Sequence, residues 1–512
     1  MEQKKKYILA HDLGTSGNKA TLYDVDGVLR CSVVCDYPTY YPQDSFVEQD
    51  PNDWWKAVCD STKGLMQRAG IGAESILCVS FSAMMMGCLP VDKDGNALRR
   101  MLIWADTRSS AQEKEMIARV GMERGYRITG HRLSASYSAA KLMWVRDNEP
   151  EVYAKTDKML HAKDYIIHKL TGKFVTDYSD ASGTNLLDIE KKQWSEEMLE
   201  ALEIPAHILP ELHASKDIAG TVTKEAAALT GLMEGTPVVI GGGDGSCACV
   251  GAGVVRPGTA YNVLGSSSWI SLASEQPLFD PAMRTFNWVH LDENLYTPCG
   301  TMQAAGYSYS WWRNTFGAEE KRLASEAGVS AYELLNAGAE ESVPGANGVI
   351  YLPYLLGERS PRWDHQARGA FVGMGVSTTK GDMTRAVLEG VGYNLKIILD
   401  ILRTKYPMEK LTMIGGGAKG ATWLRILSDI WQTELQLPVY REEATSMGAA
   451  VCGGVGIGLY KDYSVMETMN PVENSVVPNK DLAETYARSF DVFNETYEAL
   501  KPIYARMAQE KR

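Results

Sequence analysis

A chain of 512 residues, 45% hydrophobic and 23% charged, is too long for one ordinary core and has the composition of a globular protein, so two large domains are expected. The formal net charge of -12, from 52 Lys+Arg against 64 Asp+Glu, argues against nonspecific nucleic-acid binding and against a basic membrane-surface protein. No uncharged apolar run reaches the roughly 18 residues of a membrane helix, Asp12 interrupts the first apolar run, and the nine cysteines lack the companions of a zinc site, so the reading is a soluble, reduced, cytoplasmic protein.

Residues 7–10 read as a short buried strand that enters a turn over 11–19, HDLGTSGNK. Residues 20–25 and 28–34 read as two further strands, separated by the hairpin signal Asp26-Gly27. A helix is expected from Pro51, with Asp50 as its N-cap and Trp54, Trp55, Val58 and Leu65 on its apolar face. Residues 76–81 are a strand again, and residues 112–235 are expected to be mostly helical. An apolar strand at 237–240 lies within a glycine-dense stretch, 235–245, which reads as an interdomain hinge because glycine tolerates large backbone changes. The domains are therefore placed at 1–245 and 246–512.

The second half echoes the first. Residues 260–264 read as a strand ending in Leu264-Gly265-Ser266-Ser267-Ser268, to be compared with Leu13-Gly14-Thr15-Ser16-Gly17. Residues 411–414 are a strand that meets Gly415-Gly416-Gly417, and residues 423–431 a helix. The stripe of Tyr486, Phe490, Phe493, Tyr497, Leu500 and Tyr504 reads as the core face of a C-terminal helix.

A strand that ends in Gly and Thr or Ser brings backbone N–H groups and hydroxyls to one spot, where small residues let an anion approach. Two such loops would hold a polyphosphate from both sides. Asp12, at the tip of the first strand, is placed to position a magnesium ion through water, and Lys19 to face the phosphates. Ordinary hairpin glycines are the alternative reading of Gly14 and Gly17. Asp244, in the collar Gly241-Gly242-Gly243-Asp244-Gly245, is a carboxylate among apolar residues that could take a proton from an attacking hydroxyl. An Asx-turn aspartate is its alternative. Gly415, Gly417 and Gly420 also match G-x-G-x-x-G between a strand and a helix, with Glu442 downstream, so an NAD-linked oxidoreductase is a rival reading. There is no Walker A motif.

Several segments together resemble the FGGY carbohydrate kinases, within the actin/Hsp70/sugar-kinase fold. Residues 12–19 (DLGTSGNK) are similar to the family's first phosphate loop, and Trp104-Ala105-Asp106-Thr107-Arg108 to its Trp-x-Asp-x-Arg segment near the sugar. Residues 136–148 (SYSAAKLMWVRDN) resemble the first signature, followed by similar segments at 163–166 (KDYI) and 176–184 (TDYSDASGT). GERSP at 357–361, continuing to ARGAF at 367–371, resembles the second signature, GGGAK at 415–419 the adenosine motif, and GAA at 448–450 the helix start that closes the nucleotide site.

The resemblance implies an α/β protein of two ribonuclease-H-like domains, with ATP and magnesium in the interdomain cleft and a sugar as the other partner. It implies Asp244 as catalytic base and Asp12 as the residue orienting Mg-ATP. Phosphate contacts fall to Gly14, Thr15, Ser16, Lys19, Gly265 and Ser266, the adenosine side to Gly416, Gly417 and Lys419, and the sugar to Met85, Met86, Trp104, Asp106 and Asp244. A homodimer is allowed. Within the family the chain most resembles xylulose kinases, which carry Met-His-Gly where this chain has Met85-Met86-Gly87. Methionine cannot donate the hydrogen bonds of imidazole, so another ketose, a polyol or an aldonate stays open beside xylulose, as does a nonenzymatic sugar or nucleotide sensor.

Overall fold

The computed structural model describes residues 6–510. Its first three strands, β1 (Tyr7–Leu13), β2 (Gly17–Asp24) and β3 (Leu29–Asp36), are consecutive antiparallel neighbours. The turn expected over 11–19 contracts to residues 14–16. His11 stays in the strand because its buried ring stacks on Phe81 at 5.5 Å and meets Asn18 Nδ2 at 3.0 Å and Thr62 Oγ1 at 3.2 Å. Helix α1 (Pro51–Ala69) begins where Asp50 accepts from the Asn52 N–H and ends at Gly70, whose φ is 64°. Trp54, Val58 and Leu65 are buried in the core beneath β2 and β3, and each such side chain contributes about 1.5–3 kcal/mol.

β4 (Ile76–Ala83) then runs parallel to β1. The middle of the chain is less uniformly helical than its pattern suggests. It carries helices such as Ser138–Asn148 and α2 (Ala162–Thr171), interleaved with short strand pairs such as Val175–Asp177 with Glu211–His213. β5 (Ile218–Thr221), β6 (Pro237–Val239) and β7 (Gly242–Gly243) complete the first sheet in the order β5-β6-β4-β1-β2-β3, with β7 also paired to β4. Helix α3 (Asp244–Gly251) follows directly, so a boundary between residues 245 and 246 falls in its first turn.

The second sheet is built from β8 (Ala260–Leu264), β9 (Ser268–Leu272), β10 (Phe286–Val289), β11 (Tyr296–Met302), β12 (Lys410–Ile414), β13 (Glu434–Pro438) and β14 (Val472–Val476). Its order is β10-β11-β9-β8-β12-β13-β14. The path β11-β9-β8-β12-β13-β14 repeats β3-β2-β1-β4-β6-β5 joint for joint: two antiparallel, two parallel, then one antiparallel. The short echo between the two glycine loops thus marks a repeated domain topology. Helices α4 (Lys380–Arg403), α5 (Ala421–Trp431) and α7 (Ala483–Glu510) belong to the second core, where Tyr486, Phe493, Tyr497 and Tyr504 are buried.

Helix α6 (Ala444–Gly456) returns to the first sheet. Its Met447, Ala449, Ala450 and Val451 share a core with Ile8, Ala10, Cys78 and Val239. α3 does the converse, packing Ala248 and Cys249 with Tyr261 and Ile414 of the second sheet. The two helices cross with their backbones in contact: a Cβ on Gly448 would lie 2.0 Å from Cys247 O, and one on Gly251 1.7 Å from Ala444 O. Among the described residues no helix is long and apolar enough to cross a membrane, and the nine cysteines are free thiols.

Candidate active site

Sheet register brings the two leading carboxylates together. Asp12 in β1 stands opposite Ser82 in β4, and Ser82 stands opposite Gly242 in β7, so Asp244 begins its helix two residues beyond the rung that carries Asp12. Ser82 Oγ donates to Asp12 Oδ1 at 2.9 Å, and the Gly245 N–H donates to Asp244 Oδ1 at 2.7 Å. Burial, reinforced by the charge of Asp12, pushes the Asp244 carboxyl up to about 7. Burial also raises Asp12, against the pull of Ser82 and Lys19.

The glycine collar before Asp244 is tightly packed. A Cβ would lie 2.0 Å from Phe81 O at Gly241, 2.4 Å from Leu291 Cδ2 at Gly242 and 2.4 Å from Met85 Sδ at Gly243. These glycines answer to close approach and, at Gly241, to a φ of +72°. Gly245 differs: a Cβ there would meet nothing within 4 Å, and it faces the cavity.

The two phosphate-loop candidates are built alike, the second one residue shorter than the first. Each is a tight turn, closed by Gly14 N–H to Gly17 O at 3.0 Å and by Gly265 N–H to Ser267 O at 3.0 Å. In the first, Gly14 O accepts from the Tyr37 hydroxyl, Thr15 O from Gln49 Nε2 at 2.6 Å and Ser16 O from Tyr37 N–H at 3.2 Å. In the second, Gly265 O accepts from Gly306 N–H at 2.9 Å, and Ser266 O from the Ala305 and Tyr307 N–H groups, each at 3.0 Å. With their carbonyls held by the protein, the N–H groups of Thr15, Ser16, Ser266 and Ser267 have no protein acceptor among the described residues. Such turns are receptors for anionic oxygen.

Between the halves lies a cavity of about 290 Å³ with Asp244 in its wall. Thr15, Met85, Met86 and Trp104 line it from the first half, and Trp269, Trp288, Gln303 and Arg359 from the second. Its size, at the small end of ligand pockets, suits a short polyol and not a nucleotide. Trp104 Nε1 donates to Thr15 Oγ1 at 3.0 Å, so the indole links the cavity wall to the first loop. Met86 is held at a φ of 65°, its carbonyl accepting from Lys141 Nζ at 2.8 Å. Burial brings that lysine down to about 7.

Trp269, Trp288, Gln303 and Arg359 escaped the sequence reading as site residues, although Arg359 stands in the GERSP segment that marked the family. Glu358 holds two of them from behind: its Oε1 accepts from Gln303 N–H at 2.9 Å and from Arg359 N–H at 3.0 Å, and burial raises it to about 8. The Arg359 guanidinium, 5.9 Å from the Trp363 ring, forms no ion pair with any carboxylate among the described residues.

Three expected residues are engaged elsewhere. Asp106 does not line the cavity: it is fully buried, with Oδ2 accepting from Val47 N–H at 2.6 Å and from Arg108 at 2.7 Å. The Trp-x-Asp-x-Arg segment closes on itself and leaves only its tryptophan to the site. Lys19, opposite Asp12 in the ladder, reaches across to Glu443 Oε1 at 3.6 Å. Lys419 pairs with Glu442 Oε1 at 2.7 Å on the exposed rim, which also accounts for the acidic residue of the rival dinucleotide pattern. The Gly415 loop packs against the strand end that leads into the second turn: Cβ atoms on Gly415 and Gly417 would lie 2.9 Å from Leu264 O and 2.5 Å from Leu264 Cγ, whereas Gly416 faces open space.

The chain matches the FGGY family of carbohydrate kinases, N-terminal domain, over residues 7–251 and the C-terminal domain over residues 260–457. It is 32% identical to the xylulose kinase of Bacillus subtilis over 500 residues, covering 97% of this chain and 98% of that one. It is 30% identical to the gluconokinase of Bacillus licheniformis over 508 residues, 99% and 98% of the two chains. The crystal structure of a ligand-bound xylulose kinase from Lactobacillus acidophilus superposes with a TM-score of 0.91 at 28% identity, covering 98% of this chain and 100% of that one.

Proposed function

We propose, from the premise that this chain belongs to the FGGY family of carbohydrate kinases and is a sugar-phosphorylating enzyme, that it converts D-xylulose to D-xylulose 5-phosphate with ATP, with Asp244 as the general base. The observation that carries the reading is the placing of Asp244, a carboxylate raised to about 7, in the wall of a polyol-sized cavity beside two turns with unused N–H groups.

In this reading the sugar lies in the cavity with its reacting hydroxyl at Asp244. The carboxylate takes the hydroxyl proton as that oxygen bonds to the γ-phosphorus, and the bond from phosphorus to the bridging oxygen breaks to release ADP. The N–H groups at Thr15, Ser16, Ser266 and Ser267 hold the phosphate oxygens from both sides and meet the charge that develops on them. Gly416 and Gly417 take the adenosine side. Residues 1–245 thus supply the base, part of the sugar wall and the first loop, and residues 246–512 the rest of that wall, the second loop and the nucleotide side. Asp12 fits a magnesium ion held through water, and the ion would neutralise phosphate charge when bound. Asp106 acts here as a support, closing its own segment through Val47 and Arg108.

A second reading, an aldonate as the sugar, is favoured by Arg359, whose guanidinium has no carboxylate partner among the described residues, lines the same cavity and would suit a carboxylate. A gluconokinase among the relatives fits that reading. An assay coupled to ADP release across D-xylulose, other ketoses, pentitols and D-gluconate separates the two. The highest kcat/KM is expected for D-xylulose. Preference for the acid, lost in Arg359→Met, would transfer the assignment to the aldonate. No stimulation by any of them would overturn the reading.

A further inference from the structure

Lys163 in α2 is fully buried and touches no cavity wall, yet three carboxylates converge on it. Its Nζ lies 2.9 Å from Asp164 Oδ1, 3.1 Å from Asp177 Oδ1 and 3.6 Å from Asp180 Oδ2. Burial works against its charge, but the three carboxylates more than offset that, so the ammonium is held protonated. His161 Nδ1 pairs with Asp180 Oδ1 at 2.6 Å. His161, Asp164 and Asp180 could group around a cation, but the cation already among them is the Lys163 ammonium.

A buried charge cluster of this kind is poor evidence for stability in itself, so its remaining contacts matter. Asp177 Oδ2 accepts from Ser215 Oγ at 2.7 Å, from Ser179 N–H at 2.9 Å and from the Ser179 hydroxyl. With its proton committed to Asp177, Ser179 Oγ accepts from the Gly243 N–H at 3.0 Å. Gly243 is the residue before Asp244. The fit is close: a Cβ on the neighbouring Gly242 would lie 2.7 Å from Ser179 Oγ.

We propose that Ser179, oriented by Asp177 and Lys163, is a positioning residue that fixes the Gly242–Gly243 peptide, immediately before Asp244, and so aims the Asp244 carboxylate into the cavity. A hydroxyl suits this task better than a carboxylate. It offers the peptide an acceptor while keeping the charge of Asp177 one residue farther from Asp244. The Lys163 ammonium sets the orientation of Asp177, and Asp177 sets that of the hydroxyl. The inference rests on Asp244 being the base.

The test is a double-mutant cycle on the full-length enzyme with its best sugar and Mg-ATP, using Ser179→Ala, Asp244→Asn and the double variant. Ser179→Ala alone should lower kcat about 10- to 100-fold, the scale of a misplaced catalytic group, with the KM for ATP within about twofold of wild type. In the Asp244→Asn background the same substitution should change the residual rate by less than about twofold, because nothing is left to aim. A general loosening of the fold would lower both backgrounds alike, and that result overturns the proposal. So does a wild-type kcat in Ser179→Ala when Asp244→Asn is impaired. If Asp244→Asn itself turns over normally, the base assignment has failed instead.

Discussion

Asp244 is a charge that the fold would hold more easily as a neutral acid. Its folded pKa, about 7, lies above the unfolded value near 3.8. The native state therefore binds the proton more tightly between about pH 4 and 7, and the group's contribution to stability falls as pH rises through that window. Asp244→Asn is expected to melt at a higher temperature than wild type at pH 8 and to lose that advantage below pH 4, as read by thermal denaturation at each pH. The same variant should turn over about 10²–10⁴-fold more slowly, the scale of general-base loss, with ATP binding retained. In wild type, kcat/KM for the sugar should rise with pH and level off above an apparent pKa near 7. Because the negative charge of Asp12 is one cause of the upward shift, Asp12→Asn should move the acid limb of its residual activity to lower pH. The sequence made Asp244 visible because a lone carboxylate in a run of glycines has few innocent explanations. It could not show that Asp106 is spent on Arg108, since Trp-x-Asp-x-Arg reads equally well as a row of ligands and as a closed ion pair. Arg359 stayed hidden for the converse reason: it reaches the cavity only through tertiary packing, and nothing within GERSP says where its guanidinium goes.

At the scale of single elements, the two tight glycine-and-hydroxyl turns were legible because strand, glycine and hydroxyl follow one another directly in the chain. Start and stop signals were equally local: Asp50-Pro51 opened α1 where expected, and the aromatic stripe of α7 is buried. What sequence could not separate were glycines that the fold requires from glycines that it does not. Gly417 would press a Cβ to 2.5 Å from Leu264 Cγ, whereas Gly416 has room. Gly416→Ala should therefore leave the melting temperature within about 2 °C of wild type, as surface changes usually do, while raising the KM for ATP severalfold. Gly417→Ala should lower the melting temperature by at least about 2 °C, through overpacking worth roughly 1–3 kcal/mol. Equal KM values for wild type and Gly416→Ala would detach that loop from the nucleotide. The G-x-G-x-x-G pattern supported a rival reading because three glycines after a strand describe any close turn, whatever it binds.

At the scale of the molecule, each half of the chain covers the other's sheet. α3 leaves the first half to pack under the second sheet, and α6 comes back from the second half to pack under the first. The repeat topology was legible only as a short echo, because strand order and sense are tertiary facts that β1–β4 and β8–β12 share without sharing sequence. The long glycine stretch suggested where the halves meet but not how, since backbone contact between α3 and α6 depends on Gly251, which no local pattern marks, and on Gly448, which the GAA segment marked for a different reason. Residues 1–245 expressed alone should leave Ile8, Ala10, Cys78 and Val239 uncovered. That fragment is expected to be aggregation-prone and rapidly cleaved by protease. Adding residues 246–512 in trans should restore protection if the helices can still cross.

The reach of α6 also sets a timetable at the ribosome. The last residue of the first sheet's β7 is Gly243, yet the helix that covers that sheet ends at Gly456. At about 5–20 residues per second, the roughly 200 residues between them take on the order of ten to forty seconds to synthesise. Throughout that interval the nascent first domain presents an unfinished apolar face, and the growing chain needs a chaperone or a pause more at its middle than at its end.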